Sequence, residues 1–151
     1  MLQVGQSAPD FTLKTTTGTD FRLSEQRGRH LVLFFYPKDE TPGCTAEACA
    51  FRDDYQDFQD LGADVIGISS DSEASHQKFT QKNRLPFPLL ADAGGKVRKL
   101  YEVPRALLGL LPGRVTFVVD KEGVIRYIFN SLSGATDHVS KTKEVLQTLE
   151  A

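Results

Sequence analysis

The residues with the clearest capacity for chemistry are two cysteines, Cys44 and Cys49, the only two in the chain and both inside residues 37–52, PKDETPGCTAEACAFR. A thiol attacks as its thiolate, so what matters is whether the surroundings favour the anion. Thr41, Pro42 and Gly43 precede a run with helical spacing, which makes Thr41 the N-cap and Pro42 the first helical residue, where a missing N–H costs nothing. Cys44 then falls in the first turn. Unpaired backbone N–H groups and the positive end of the helix dipole both stabilise negative charge there, and a thiolate at Cys44 is favoured.

From Cys44 the apolar residues return at Ala48, Phe51, Tyr55 and Phe58, in alternating steps of four and three, so Cys44 faces the body of the protein. Cys49 lies about 140° further round the helix, on the opposite side with Arg52, Asp53 and Gln56. In an intact helix the two Cα atoms stand about 8 to 9 Å apart, whereas a disulfide tolerates no more than about 7 Å. A bond between them therefore requires the first turns to unwind. The alternative, that both are small buried hydrophobes, leaves unexplained a Thr-Pro-Gly turn that delivers a cysteine to a helix start.

The elements around this stretch read as its scaffold. Residues 11–23, FTLKTTTGTDFRL, form an N-terminal hairpin about Thr17-Gly18 that covers a sheet edge, and residues 30–36, HLVLFFY, are continuously apolar, as a central strand buried on both faces would be. Pro37 ends that strand. After the cysteine helix, running to about Leu61, a second buried strand spans residues 63–70, followed by a helix capped by Asp71 or Ser72 and reaching Asn83. A turn at residues 85–88 leads to a short strand at 89–91, and residues 94–101 form a short helix. Residues 104–113, PRALLGLLPG, form an apolar loop; residues 114–120 and 124–130 are strands around Lys121-Glu122-Gly123; and an amphipathic helix runs from Thr136 on. This order predicts one α/β domain over residues 1–151, with a central mixed sheet, helices on both faces and the reactive cysteine just beyond a strand's carboxyl end.

Composition bounds the partners. With 40% hydrophobic and 25% charged residues the chain can bury about 70% of its extended surface. A net charge of −2 and no basic stripe give no reason to expect nucleic acid. The start, MLQVGQSAPDFTLK, lacks the pattern of a secretory signal, and no run of 18 apolar residues could span a bilayer. A cytosolic setting is expected, where a cysteine pair oxidises transiently, in catalysis or sensing.

At this point the sequence resembles the peroxiredoxins, and within them the peroxiredoxin Q or bacterioferritin comigratory protein group. Pro37, Thr41 and Cys44 fit the family's Pro-x-x-x-Thr-x-x-Cys signature, and TPGCTAEACAFRD carries the second cysteine five residues on. APDFTL, GISSDS, LPFPLLAD and PGRVTFVVDKEG support the match over nearly the whole chain, and VPRALLGLLPGR is similar to the plant and cyanobacterial branch. The resemblance implies a thioredoxin-like fold and an atypical two-cysteine peroxidase that reduces hydrogen peroxide and organic hydroperoxides. It makes Cys44 the attacking thiolate, oxidised to sulfenic acid, and Cys49 the thiol that resolves it as an intramolecular disulfide. Thr41 would direct its hydroxyl at the sulfur or the peroxide, or cap the helix instead. Arg114 would hold positive charge against the thiolate and donate to the peroxide oxygens, and Pro37 would shape the pocket and shield the sulfenic acid. Without the motif Arg114 reads as a solvated strand-edge arginine. Glu47, three residues after Cys44, either accepts from Arg114 or decorates the helix.

Thioredoxin, or a related dithiol protein, is the implied reductant, and a monomer in a bacterial cytoplasm, or in a plastid for a processed plant form, is the expected setting. His30, His76 and His138 show no metal-ligand spacing, and neither metal nor organic cofactor is expected. Two rivals stand beside this reading: a thiol-disulfide oxidoreductase acting on proteins, and a redox-sensing or holdase module, to which only the apolar residues 107–111 point.

Overall fold

The computed structural model describes residues 2–106 and 111–150. In chain order, β1 (Thr12–Thr15) and β2 (Asp20–Arg22) form the N-terminal hairpin; β3 (His30–Phe35) leads into α1 (Pro42–Asp53) and α2 (Tyr55–Asp60); β4 (Ala63–Ser69) leads into α3 (Glu73–Asn83); and β5 (Leu89–Ala91) leads into α4 (Lys96–Leu100). The chain continues through β6 (Arg105–Ala106) and β7 (Leu111–Pro112), then β8 (Val115–Val119) and β9 (Ile125–Asn130), and ends in α5 (Asp137–Glu150). The main sheet has seven strands in the order β2-β1-β5-β4-β3-β8-β9. Strands β3, β4 and β5 are parallel and the remaining pairings are antiparallel, so the sheet is mixed, with the N-terminal hairpin at one edge.

Burial on both faces explains the uninterrupted apolar run of β3. Leu31, Leu33 and Phe35 point to one face, where they join Ile66, Ile68, Phe117 and, from the α4 region, Val97 and Tyr101. Val32, Phe34 and Tyr36 point to the other, with Phe51 from α1, Phe58 from α2, Phe79 from α3 and Leu146 from α5. Four helices thus cover one face, while the short α4 and the N-terminal segment cover the other. At Gly67 of β4 a Cβ would stand 2.6 Å from Leu89 Cδ2 and 2.7 Å from Phe34 Cζ, so only glycine allows this packing.

Three sequence expectations need correction. The cysteine helix does not run unbroken to Leu61: Asp54, at φ −98° and ψ 8°, leaves the helical region, and its carboxylate takes Lys143 of α5 at 3.0 Å. The helix expected from Gly94 starts at Lys96, because Gly94 and Gly95 adopt left-handed φ values of 72° and 70°. The apolar loop at residues 104–113 contains a two-stranded ribbon, β6 against β7; residues 107–110, which hold three of its four leucines, lie outside the described residues.

Register sets up the site. Phe35, the last residue of β3, pairs with Ile68 on one side and with Val115, the first residue of β8, on the other. Because β3 and β8 are antiparallel, the carboxyl end of one lies beside the amino end of the other. Pro37 and Arg114, 77 positions apart by their numbers, therefore leave the sheet at the same place.

Candidate active site

Pro37 lacks the N–H that β3 would need to continue, and residues 37–41 turn the chain into α1. Glu40 takes a left-handed φ of 68°, a conformation that a residue with a Cβ adopts only when its surroundings impose it. Asp39 supplies that constraint. Its buried carboxylate accepts from the Tyr36 hydroxyl at 2.6 Å and the Ser75 hydroxyl at 2.8 Å, and meets Nδ1 of His76 at 2.7 Å. Its backbone N–H donates to Asp71 at 2.8 Å, and Nε2 of His76 donates to the Leu90 carbonyl at 3.1 Å. Asp39, Asp71 and His76 bring their ligand atoms within 4.8 Å of one another, but those atoms are already bonded to each other and to their neighbours, so the cluster works as an anchor for the loop.

Thr41 holds the N-cap position and Pro42 the first helical one, yet the Thr41 hydroxyl makes no cap bond. It donates instead to the Lys38 carbonyl at 2.8 Å, and the first helical bond runs from the Thr45 N–H to the Thr41 carbonyl. The side chain thereby stays at the rim of a cavity of about 280 Å³ lined by Pro37, Lys38, Thr41, Gly43, Cys44, Arg114 and Leu132. Cys44 forms its floor and is 2% exposed. A Cβ at Gly43 would come within 3.0 Å of Arg114 Nη2, so the small residue before Cys44 leaves room for the guanidinium.

Arg114 is buried, and each of its three nitrogens has a task. Nη2 donates to the Cys44 sulfur at 3.4 Å, Nη1 to Oε1 of Glu47 at 2.6 Å, and Nε to the Leu132 carbonyl at 3.1 Å. Burial alone would draw its pKa down, but Glu47 and then Cys44 hold it above the ordinary value. Of the two readings of Glu47, the structure shows the first: it is fully buried one helical turn beyond Cys44, and accepts from Arg114. Burial pushes its carboxyl up to about 8, against the opposing pull of Arg114. Its second oxygen makes no hydrogen bond among the described residues and stands 3.6 Å from Nδ1 of His138.

His138 is a member of this network that the sequence reading did not reach, since a histidine on an amphipathic helix reads as packing. Its Nε2 faces the Ser131 carbonyl at 2.8 Å and so carries the proton, leaving Nδ1 to accept from the Thr116 hydroxyl at 2.7 Å. Burial holds its pKa down to about 4, so the ring is neutral near pH 7. Through Ser131, His138 ties α5 to the loop whose next residue, Leu132, receives Arg114 Nε and walls the cavity.

Cys49 lies elsewhere. Its thiol is half-buried and donates to Oδ1 of Asn83, the last residue of α3, at 3.7 Å; Arg52 Nη1 donates to the Asn83 carbonyl at 2.7 Å. Both cysteines are free thiols, and α1 runs through both positions without a break. Of the five residues singled out from the sequence, Pro37, Thr41, Cys44 and Arg114 share one cavity, and Cys49 faces α3 instead.

Known proteins resemble this chain over most of its length. Residues 4–128 match the AhpC/TSA family. The chain is 52% identical over 145 residues to a chloroplastic peroxiredoxin Q of Oryza sativa subsp. japonica, covering 96% of this chain and 67% of the relative. It is 52% identical over 143 residues to the chloroplastic peroxiredoxin Q of Arabidopsis thaliana, covering 95% and 66%. Among solved structures, the peroxidoxin BcpB of Mycobacterium tuberculosis superposes with a TM-score of 0.91 at 38% identity, over all of both chains. Peroxiredoxin Q of Xanthomonas campestris gives 0.87 at 28% identity, over 100% of this chain and 98% of that one. The chain belongs to the AhpC/TSA family and, within it, to the peroxiredoxin Q group of thiol-dependent peroxidases.

Proposed function

We propose that Cys44 is the peroxidatic residue and Cys49 the resolving one, and that the enzyme reduces hydrogen peroxide and organic hydroperoxides through an intramolecular disulfide. The observation that carries this is the 3.4 Å contact between Arg114 Nη2 and the Cys44 sulfur at the floor of the cavity. A guanidinium there favours thiolate over thiol and can donate to the oxygens of an incoming peroxide. The thiolate attacks the terminal, hydrogen-bearing oxygen of R–O–O–H; the S–O bond forms as the O–O bond breaks, Cys44 becomes S–OH, and the departing RO⁻ takes a proton to leave as ROH. Charge grows on both oxygens as the bond breaks, and fixed donors aimed at them lower that barrier most.

Pro37 and Leu132 give the mouth an apolar wall, which suits an alkyl group on the peroxide. A bacterioferritin comigratory protein of Xanthomonas campestris, 28% identical and matching at a TM-score of 0.85, is described as having alkyl peroxide reduction activity. In the second step the Cys49 thiolate attacks the Cys44 sulfur, the S–S bond forms as the S–O bond breaks, and the departing hydroxide takes a proton to leave as water; a dithiol protein of the thioredoxin kind then reduces the disulfide by exchange. The reading takes the enzyme as a monomer, since both cysteines belong to one chain, working in a bacterial cytoplasm or, for a processed plant form, in a plastid. Among the described residues no helix is long and apolar enough to cross a membrane.

The test is stopped-flow oxidation of the reduced protein, followed by NADPH consumption with thioredoxin, thioredoxin reductase and peroxide. Oxidation far faster than that of free cysteine, then steady turnover, is expected. Oxidation no faster than free cysteine would favour a protein thiol-disulfide oxidoreductase, and absence of turnover after fast oxidation would remove thioredoxin as the reductant.

A further inference from the structure

A second buried arginine reaches the same two backbone segments from the opposite face of the sheet. Arg98 of α4 is 7% exposed, and its fork divides: Nη1 donates to the Gly113 carbonyl at 2.8 Å and Nη2 to the Tyr36 carbonyl at 2.7 Å. Gly113 and Tyr36 are the residues immediately before Arg114 and Pro37. Both are buried, and both lie just past the last β3–β8 pair, Phe35 with Val115. Carbonyls left at the end of a ladder need another donor when they are out of water, and one guanidinium serves both. Arg98 is itself fixed: its backbone N–H and that of Val97 donate to the two carboxylate oxygens of buried Asp92, each at 2.9 Å, and its guanidinium carbon lies 5.8 Å from the centre of the Phe35 ring.

We infer that Arg98 is a positioning residue for peroxide reduction: it clamps the backbones that carry Pro37 and Arg114 and so holds the Arg114 guanidinium against the Cys44 sulfur. A planar fork with divergent donors is what this task needs; a lysine ammonium could keep the charge but could not fix two carbonyls in one plane. Charge adds a smaller effect. Burial draws the Arg98 pKa down; Asp92 opposes that shift, Arg105 adds to it, and the Cys44 sulfur opposes it more weakly. Reacting groups displaced by about 1 Å can lose about 100-fold in rate, so a loosened clamp should be visible in the chemistry.

This inference rests on Cys44 being the sulfur that peroxide oxidises, which stopped-flow oxidation of Cys44→Ser beside Cys49→Ser decides first and separately. The test compares Arg98→Lys and Arg98→Met, each with a thermal unfolding curve, for the second-order rate of Cys44 oxidation by hydrogen peroxide across pH 5 to 9. Arg98→Lys should slow oxidation about tenfold with the pH midpoint unmoved, and Arg98→Met about 100-fold with the midpoint raised. In an Arg114→Ala background, Arg98→Lys should cost less than about threefold, because its effect runs through Arg114. Folded Arg98→Lys that is oxidised at the unaltered rate, or that costs the same factor with and without Arg114, would overturn the inference and leave Arg98 a structural brace. Should Arg98→Met not fold, the lysine variant and its double-mutant cycle still decide.

Discussion

Cys44 and Cys49 are five residues apart in one helix, and their surroundings are opposites. Cys44 is 2% exposed, lies in the first turn, and faces Arg114, which is itself bound by Glu47 and the Leu132 carbonyl. Cys49 sits mid-helix, half-buried, with one weak contact to Asn83. On the proposed roles, the difference separates two demands of the chemistry. A thiol that must ionise and meet a peroxide needs fixed donors and a fixed cation, whereas a thiol that must travel to its partner needs few ties to break. Nor are the two neighbourhoods independent: α3 holds the loop before Cys44 through Ser75 and His76, and holds the helix beyond Cys49 through Asn83. The stretch between those anchors is the part that can unwind without releasing the rest.

Substitution of the cysteines should break the comparison most completely. Cys44→Ser is expected to abolish peroxide reduction, while Cys49→Ser should allow one oxidation and no thioredoxin-supported turnover. Mass spectrometry checks this: a Cys49→Ser protein that never shows peroxide-induced sulfenic or over-oxidised Cys44 would reverse the assignment.

Next in size is Arg114→Ala. Loss of one donor to a developing oxyanion costs about 100- to 1,000-fold in other enzymes, and a similar loss in oxidation rate is expected, larger than the fall in thiolate content alone explains. If rate and thiolate content fell together, Arg114 would act only on the sulfur and not on the peroxide.

The network behind Arg114 should also give the Cys44 side an acid sensitivity that the Cys49 side lacks. The His138 pKa falls from 6.5 in the unfolded chain to about 4 in the fold because burial opposes the charged ring. Its contribution is therefore fully present above about pH 6.5 and is lost as pH falls towards about 4, where the unfolded state binds the extra proton. Glu47 has the opposite sign: its folded value of about 8 exceeds 4.5, so its contribution is present below about pH 4.5 and is lost as pH rises through about 8. Thermal unfolding of His138→Gln from pH 7 to 4 should show a smaller loss than the unaltered chain; equal slopes would mean that His138 stays as easily protonated folded as unfolded.

The smallest effect belongs to Asn83→Ala. Removing the Cys49 contact is worth no more than about 1 kcal/mol, or about fivefold, and should speed disulfide formation. At a fixed peroxide dose the variant is expected to show less over-oxidised Cys44; more would mean that Asn83 helps Cys49 to react.

Much of this was legible in the sequence because the signals were local. The apolar run of β3, the Thr-Pro-Gly entry to α1 and the steps of three and four along it fix which way Cys44 points. The thioredoxin-like fold expected from the resemblance is the one observed. What stayed hidden depended on contacts between distant segments. Arg98 in GKVRKLY, His138 in the last helix and Asp39 in the loop carry no local mark of burial, and their roles come from strand register, which no short window contains. Thr41 was read for its position, which holds, while its hydroxyl turns back to Lys38 rather than to the helix. At the break the Asp54 carboxylate meets Lys143, 89 residues away, a contact that no short window contains either.

The central claim is that the reduced helix must open for the two cysteines to bond, since α1 is continuous through both and holds their Cα atoms about 8 to 9 Å apart. Hydrogen exchange on the reduced and the disulfide forms tests it most directly. The account predicts strong protection of residues 45–52, whose amides donate within the helix, in the reduced protein, marked loss of it over the same residues in the disulfide form, and little change in β3 and β8. Equal protection of residues 45–52 in both forms, with the intramolecular disulfide confirmed by mass, would contradict it.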